Sequence, residues 1–294
     1  MANEYVVAVD TGTTSMRALL YSPDGRVLAM QQRHNPPDYL PEGRVEQDAG
    51  SWRDALVFLL SGMAEKAASL GIDIGALSLT GIRSTVMPVA ADGTALAPAI
   101  MWQDLRTEPL CTLLRPQEDA IYRRTGLPLT SVFSALKMRW LVDNKPDLVA
   151  RTYRFAGIQD YLIFQLTGRW VTDRCLASRT NLYDLQTRDW SDELLKVFDV
   201  PRRLVCDLVD PGSIAGTLRE DIAAITGLPA GIPVISAGGD QQCAALGMGL
   251  VCAGDTIVST GTGAYVMSLT EKPLFDPQRR VFCNLSAMPS LHVL

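Results

Sequence analysis

Residues 5–21 read YVVAVDTGTTSMRALLY, and the break in the middle of this apolar run decides the fold. Tyr5 to Val9 are apolar and largely β-branched, the composition of a strand. Asp10 is expected to end that strand, with Thr11, Gly12, Thr13, Thr14 and Ser15 forming a tight, hydroxyl-rich turn. Met16 to Tyr21 make a second apolar run, Ser22-Pro23-Asp24-Gly25 is a turn signal, and Arg26 to Met30 start a third strand. The unit is a hairpin or meander whose first turn is more polar than a connection needs. Backbone N–H groups and Thr hydroxyls held together in such a turn are donors suited to an anion.

Outward from that unit, strands and helices alternate. Asp48 to Lys66 has apolar residues at helical spacing behind an acidic, Ser-bearing start. Ile74 to Ile82 reads as a strand running into the polar Arg83-Ser84-Thr85, and Val86 to Val89 and Pro98 to Trp102 flank a turn at 91–94. Helices are expected over Ser134 to Asn144, Gln159 to Thr167, Asp192 to Asp199, Arg219 to Thr226 and Cys243 to Leu250. Ile232 to Ala237 is another apolar strand, ending in Gly238-Gly239-Asp240, and Thr256 to Val266 is a second strand–turn–strand unit. Alternation of this kind points to α/β layers. VDTGTTS at 9–15 is echoed by VSTGTGA at 258–264, so two polar turns could grip an extended anion from both sides.

Composition narrows the function. With 294 residues, 47% of them hydrophobic, the chain can bury a large core. A net charge of −5 with both signs dispersed argues against nucleic acid as the main partner. No run approaches the roughly 18 to 20 apolar residues that span a membrane, and no basic segment followed by an apolar one marks a signal peptide. Six scattered cysteines without a C-x-x-C pair fit reduced thiols in the cytoplasm, and two histidines, His34 and His292, make a histidine triad or metal cluster a poor reading.

Neither a P-loop nor a dinucleotide fingerprint follows the first strand. Three features combine instead. Asp10, beside the first polar turn, is suited to Mg²⁺ held through water; STGTG at 259–263 offers a second phosphate cradle; and Asp240, in AGGDQQ, follows two glycines that let a ligand approach closely. Phosphoryl transfer needs these parts: a metal, donors around the phosphates, and a carboxylate near the attacking hydroxyl.

VDTGTTSMR, AGGDQQCAALG and STGTGAY together resemble the FGGY family of carbohydrate kinases, with its glycerol- and xylulose-phosphorylating members nearest. WQDLRT at 102–107, SALKMRWL at 134–141 and VTDRCLASRT at 171–180 support the likeness, which runs from Tyr5 to about Leu269. The resemblance implies an α/β, ribonuclease-H-like fold of the actin and hexokinase type, with sugar and ATP meeting between two such domains. It implies a sugar-binding domain over 1–246 and, over 247–294, the beginning of a nucleotide domain. Asp240 matches the general base and Asp10 the acid at the Mg²⁺ ion. Thr13, Thr14 and Ser15, with Arg17 beside them, match the first phosphate turn, and Gly261, Thr262 and Gly263 the second. Arg83, Trp102, Gln241 and Tyr265 fall among the substrate-binding positions.

Two departures bear on the substrate. Glycerol-specific members carry Glu and Tyr where this chain has Ser84 and Val132. A buried polar group left without its partner costs about 1–3 kcal/mol, so a longer polyol or a ketose is expected instead of glycerol. Members of the family are also longer than this chain, whose last residues, PSLHVL, read as the middle of a strand. A partial second domain is expected to leave an exposed sheet edge, to favour a homodimer, and to show little activity by itself. The alternative function is a non-catalytic, sugar-responsive binding or regulatory protein. Among other residues, Trp140 reads as a core aromatic, Lys137 as a solvated or capping cation, and Asp173 as a cap or loop bridge.

Overall fold

The computed structural model describes residues 5–260 and 264–294. At its centre lies a six-stranded sheet of β1 (Tyr5–Thr11), β2 (Ser15–Tyr21), β3 (Val27–His34), β4 (Ile74–Gly81), β5 (Ser213–Thr217) and β6 (Pro233–Gly239). Across the sheet the order is β5-β6-β4-β1-β2-β3. β1, β2 and β3 form an antiparallel meander, β1, β4 and β6 run parallel, and β5 closes the far edge antiparallel. The helices that matter to the site are α1 (Ala49–Leu70), α2 (Ser134–Asn144), α3 (Ile158–Thr167), α4 (Arg174–Ala177), α5 (Glu220–Thr226) and α6 (Asp240–Gly247).

α1 forms where its sequence asks for it. The Asp48 carboxylate accepts from Ser51 N at 2.9 Å, and Gly71, at φ 66°, ends the helix in the left-handed conformation glycine tolerates. Trp52, Leu56, Leu59, Leu60 and Met63 make one buried stripe. That stripe shares a core with Val7, Val9, Leu77 and Leu79 of the sheet and with Leu162 and Ile163 of α3. Side chains alternate along a strand, so Ala8 and Asp10 lie on the face opposite this core.

Two expected boundaries move. β1 runs through Asp10 to Thr11, because Thr11 is fully buried, its Oγ1 donates to Thr80 O at 2.9 Å, and its carbonyl accepts from Ile82 N at 2.9 Å. Asp10 therefore sits inside the strand, opposite Arg17 of β2 and Thr80 of β4. The polar turn shrinks to residues 12–14, since Ser15 already opens β2. Likewise α6 begins at Asp240 itself, not at Cys243. A Gly-Gly-Asp-Gln-Gln stretch has little helical signature, and the β6 strand end, not local propensity, starts the helix.

A second layer packs around α2, with Leu136, Leu141, Phe155, Leu182, Tyr183 and Phe198 in its core. It includes helices Glu108–Leu114 and Glu118–Thr125, which the sequence reading did not include. Cys283 and Leu285 join the same core, and the Tyr122 hydroxyl donates to Val281 O at 2.7 Å. Trp140 is half-buried against this core under the Arg106 guanidinium, 4.9 Å from the ring centroid. Lys137 corrects an expectation: it is not solvated but fully buried. Its Nζ donates to the carbonyls of Ser84, Ser131 and Val132 at 3.1, 3.0 and 2.5 Å.

A smaller sheet combines β7 (Thr256–Thr260), β8 (Ala264–Thr270), β9 (Asn284–Leu285) and β10 (His292–Val293) in the order β7-β8-β10-β9. Val258 and Val266 on its hairpin are exposed. Among the described residues no helix is long and apolar enough to cross a membrane.

Asp160 of α3 gives the fold a measurable pH dependence. Its buried carboxyl accepts from Gly157 N at 2.8 Å through Oδ2, while Oδ1 has no partner. Burial first, then the charge of Asp173, pushes its pKa up to about 7 against the Gly157 and Thr172 hydrogen bonds. The folded state thus binds more protons than the unfolded chain, whose aspartate titrates near about 3.9. The resulting stability is full below that value and is lost as pH rises through about 7. Asp160→Asn removes the ionisation, so the variant's melting temperature should rise relative to that of the unmodified chain between pH 5 and pH 8. A constant difference, or one of opposite slope, contradicts the assignment.

Candidate active site

β1, β4 and β6 are parallel neighbours, so their C-terminal ends emerge at one edge of the sheet, where ligands of open α/β sheets bind. β1 delivers Asp10 and the 12–14 turn there, β4 delivers Arg83, and β6 delivers Asp240. The delivery of Asp240 depends on glycine. Gly238 adopts φ 118° at a register shift between β6 and β4, and this bulge re-aims the strand end. A Cβ on Gly239 would meet Arg83 Cδ and Gln242 Oε1 at 2.8 Å, so a larger residue there would have to push both side chains aside.

Arg83 Nε lies 2.9 Å from Asp240 Oδ1, an ion pair whose two side chains keep about a fifth to a quarter of their surface. The Nε–H is not aimed along that line, and the nitrogen makes no hydrogen bond. Asp240 stands in the first turn of α6, at the positive end of the helix dipole. On the far wall, Trp102 Nε1 donates to Thr13 Oγ1 at 3.1 Å, joining the first polar turn to the expected substrate positions. The Trp102 loop is anchored by buried Asp104, which accepts from Val45 N at 2.6 Å and pairs with Arg106 at 2.8 Å. Trp102 and Tyr265 remain 40% and 59% exposed, too open for core aromatics.

These residues enclose one cavity of about 270 Å³. Arg83, Trp102, Gln241, Tyr265, Asp240 and Thr13 line it. Ser84 and Val132, the two departures, line it too. Thr14 is exposed, and neither it, Ser15 nor Arg17 lines this cavity; the exposed Arg17 donates from Nε to Gln32 Oε1 at 3.3 Å. The expected second turn, Gly261, Thr262 and Gly263, lies outside the described residues.

Asp10 is half-buried, and its carboxyl is pushed up by burial and then by the negative charge of Asp240, with Arg17 pulling the other way. Two carboxylates that repel one another across the same face suit a cation. Among the described residues no group of three or more acidic, histidine or cysteine side chains gathers to cage one. That donor set fits Mg²⁺, which commonly takes one or two carboxylates and completes its shell with water and phosphate oxygens.

Behind the site, Asp173 acts as cap and bridge together. It accepts from Leu176 N at 2.9 Å, from Ser236 Oγ of β6 at 2.6 Å and from Gln159 Nε2 of α3 at 3.0 Å. The sequence reading passed over one residue beside the cavity and misread another. Arg179 lies in the cavity wall, and Lys137 holds the carbonyls of Ser84 and Val132. Arg179 sits within the quoted 171–180 stretch, but nothing local distinguishes it from a surface arginine.

Comparison with known proteins bears on this arrangement. Residues 5–247 match the FGGY family of carbohydrate kinases, N-terminal domain. A glycerol kinase from Alkalilimnicola ehrlichii is 36% identical over 285 residues, covering 93% of this chain and 56% of that protein. The chain spans just over half the length of the curated relatives it matches. A solved xylulose kinase from Rhodospirillum rubrum superposes with a TM-score of 0.93 at 26% identity, over 98% of this chain and 59% of its own. A Plasmodium falciparum glycerol kinase solved with ADP superposes at 0.89 and 23% identity, over 98% of this chain and 60% of its own, a likeness of fold. The ribonuclease-H-like α/β architecture expected from the sequence is the one the chain adopts.

Proposed function

The chain belongs to the FGGY family of carbohydrate kinases, and from that premise we propose that it carries the acceptor site and the first phosphate turn of an enzyme that transfers the γ-phosphoryl group of ATP to a hydroxyl of a sugar or polyol. The observation that carries the proposal is the single cavity in which Asp240 stands beside Arg83, Trp102, Gln241 and Tyr265. Asp240 is the general base. The acceptor O–H gives its proton to the carboxylate, the freed oxygen bonds to the γ-phosphorus, and the bond to the β-phosphate oxygen breaks to leave ADP. Arg83 orients the base through their 2.9 Å ion pair, while Trp102 and Tyr265 offer apolar faces to the carbon skeleton. The 12–14 turn, tied to Trp102 through Thr13, supplies donors to the phosphates. Asp10 would hold Mg²⁺, which offsets the charge on the transferring phosphate when bound. We further assign residues 1–246 to the sugar-binding domain and 247–294 to the start of a nucleotide domain, with the exposed Val258 and Val266 left for a further surface to cover.

A ligand that binds only the folded chain raises its melting temperature. At least one member of a panel of polyols and ketoses should do so, and Trp102→Ala should remove most of the shift. A panel without any response would contradict the acceptor site.

A further inference from the structure

Resting on the assignment of Asp240 as the general base, we propose that Thr80 and Cys175 are its positioning residues, which together clamp the peptide between Gly238 and Gly239. Each polar group of that peptide is held by a side chain. Thr80 Oγ1, on β4, donates to Gly238 O at 2.8 Å, and Gly239 N–H donates to Cys175 Sγ, on α4, at 3.5 Å. Gly238, Gly239 and Cys175 are buried, so solvent does not compete for the N–H. A hydroxyl on one side and a thiol on the other thus fix the plane of one peptide. Cys175 is itself anchored, because Asp173 caps α4 through Leu176 N at 2.9 Å and accepts from Ser236 Oγ of β6 at 2.6 Å.

The peptide needs holding because the sheet ladder is broken beside it. Ser236 of β6 pairs with Leu79 and Gly238 with Thr80, so Ala237 is an extra residue at which the strand bends. On its other side, β6 pairs with β5 no further than Ser236. Gly238 stands at φ 118° and Gly239 at φ −72°, and two glycines in succession leave the peptide between them wide torsional freedom. A Cβ on Gly238 would meet Cys175 Sγ at 3.5 Å, an ordinary contact, so backbone conformation and not space calls for glycine there. Asp240 is the next residue and the first of α6. An uncompensated turn of the Gly238–Gly239 peptide therefore carries the carboxylate away from Arg83, its partner at 2.9 Å. Cys243 ties the first turns of α6 to the same bulge, its Sγ donating to Ala237 O at 3.4 Å.

Two measurements test the clamp: steady-state kinetics in the chain that includes the remaining length of its relatives, and amide hydrogen exchange in the 294-residue chain. Thr80→Val and Cys175→Ala should each lower kcat by about 10- to 100-fold while acceptor KM stays within about twofold, as a misplaced base requires. Thr80→Ser and Cys175→Ser keep the donor and the acceptor and should recover most of the loss. The double variant should lose less than the product of the single losses, because both side chains hold one peptide. Thr80→Val should also speed exchange at Gly239 N–H, which Thr80 does not touch, while the amides of α1 stay protected. Near-normal kcat in both single variants, with Asp240→Asn inactive, overturns the clamp and leaves the base standing. A fully active Asp240→Asn overturns the base and the clamp with it. Losses that multiply, or Gly239 exchange unchanged in Thr80→Val, overturn the joint action. A loss confined to KM, or protection lost in α1 as well, makes the two residues structural only and overturns their positioning role.

Discussion

Asp240→Asn is expected to lower the turnover number by about 10²- to 10⁴-fold, the range a positioned general base contributes. Asparagine preserves the shape of the side chain and still presents an oxygen toward Arg83, 2.9 Å away in the native pair. It cannot take the proton from the acceptor hydroxyl. The loss should therefore fall on kcat, with acceptor affinity retained. The assay belongs in a chain that also includes the remaining length of its relatives, of which this sequence covers just over half. Near-normal kcat in that variant would place the base elsewhere, and a loss confined to KM would make Asp240 a binding residue only.

Lys137→Met carries the largest expected effect on stability. The lysine is fully buried, and burial holds its pKa down to about 7. Three carbonyls accept from it, matching the three N–H bonds of an ammonium. Methionine fills a similar volume but donates nothing, and each stranded carbonyl costs about 1–3 kcal/mol. Relief of the buried charge offsets part of that sum. A net loss of about 3 kcal/mol, or a melting temperature lower by about 6–10 °C, follows for a chain of this size. Because two of the carbonyls belong to Ser84 and Val132 of the cavity wall, carbohydrate affinity should fall with it. An unchanged melting temperature would mean that the loops around residues 84 and 131 hold their shape without the lysine.

The parts of the site that are contiguous in sequence were legible there. The strand–turn–strand at 5–21, the Gly-Gly-Asp at 238–240 and the helix at 134–144 each announce themselves through apolar runs and turn residues. Boundaries moved where a tertiary ladder overrode the local signal, as when pairing with β4 carried β1 through Asp10 to Thr11. The helices at 108–114 and 118–125 went unread because Pro109 and Pro116 interrupt the pattern and few of their residues are buried. Lys137 and Arg179 were illegible for a different reason. The carbonyls that hold the lysine come from residues 84, 131 and 132, and the rings beside the arginine from 133 and 282. Burial of a cation is then a property of the assembled layers, which no window of sequence contains.

The roles of Asp240, Arg83, Trp102 and the 12–14 turn converge on phosphoryl transfer to a carbohydrate hydroxyl at the Asp240 cavity. Its most direct test is acceptor-dependent conversion of ATP to ADP, followed with the phosphate traced to product, in the chain that includes the remaining length of its relatives. ADP formation should require a carbohydrate, with phosphate recovered as an ester on that carbohydrate, and should be lost in Asp240→Asn. ADP formation that is indifferent to every acceptor, with phosphate released to water and unaffected by Asp240→Asn, would contradict it.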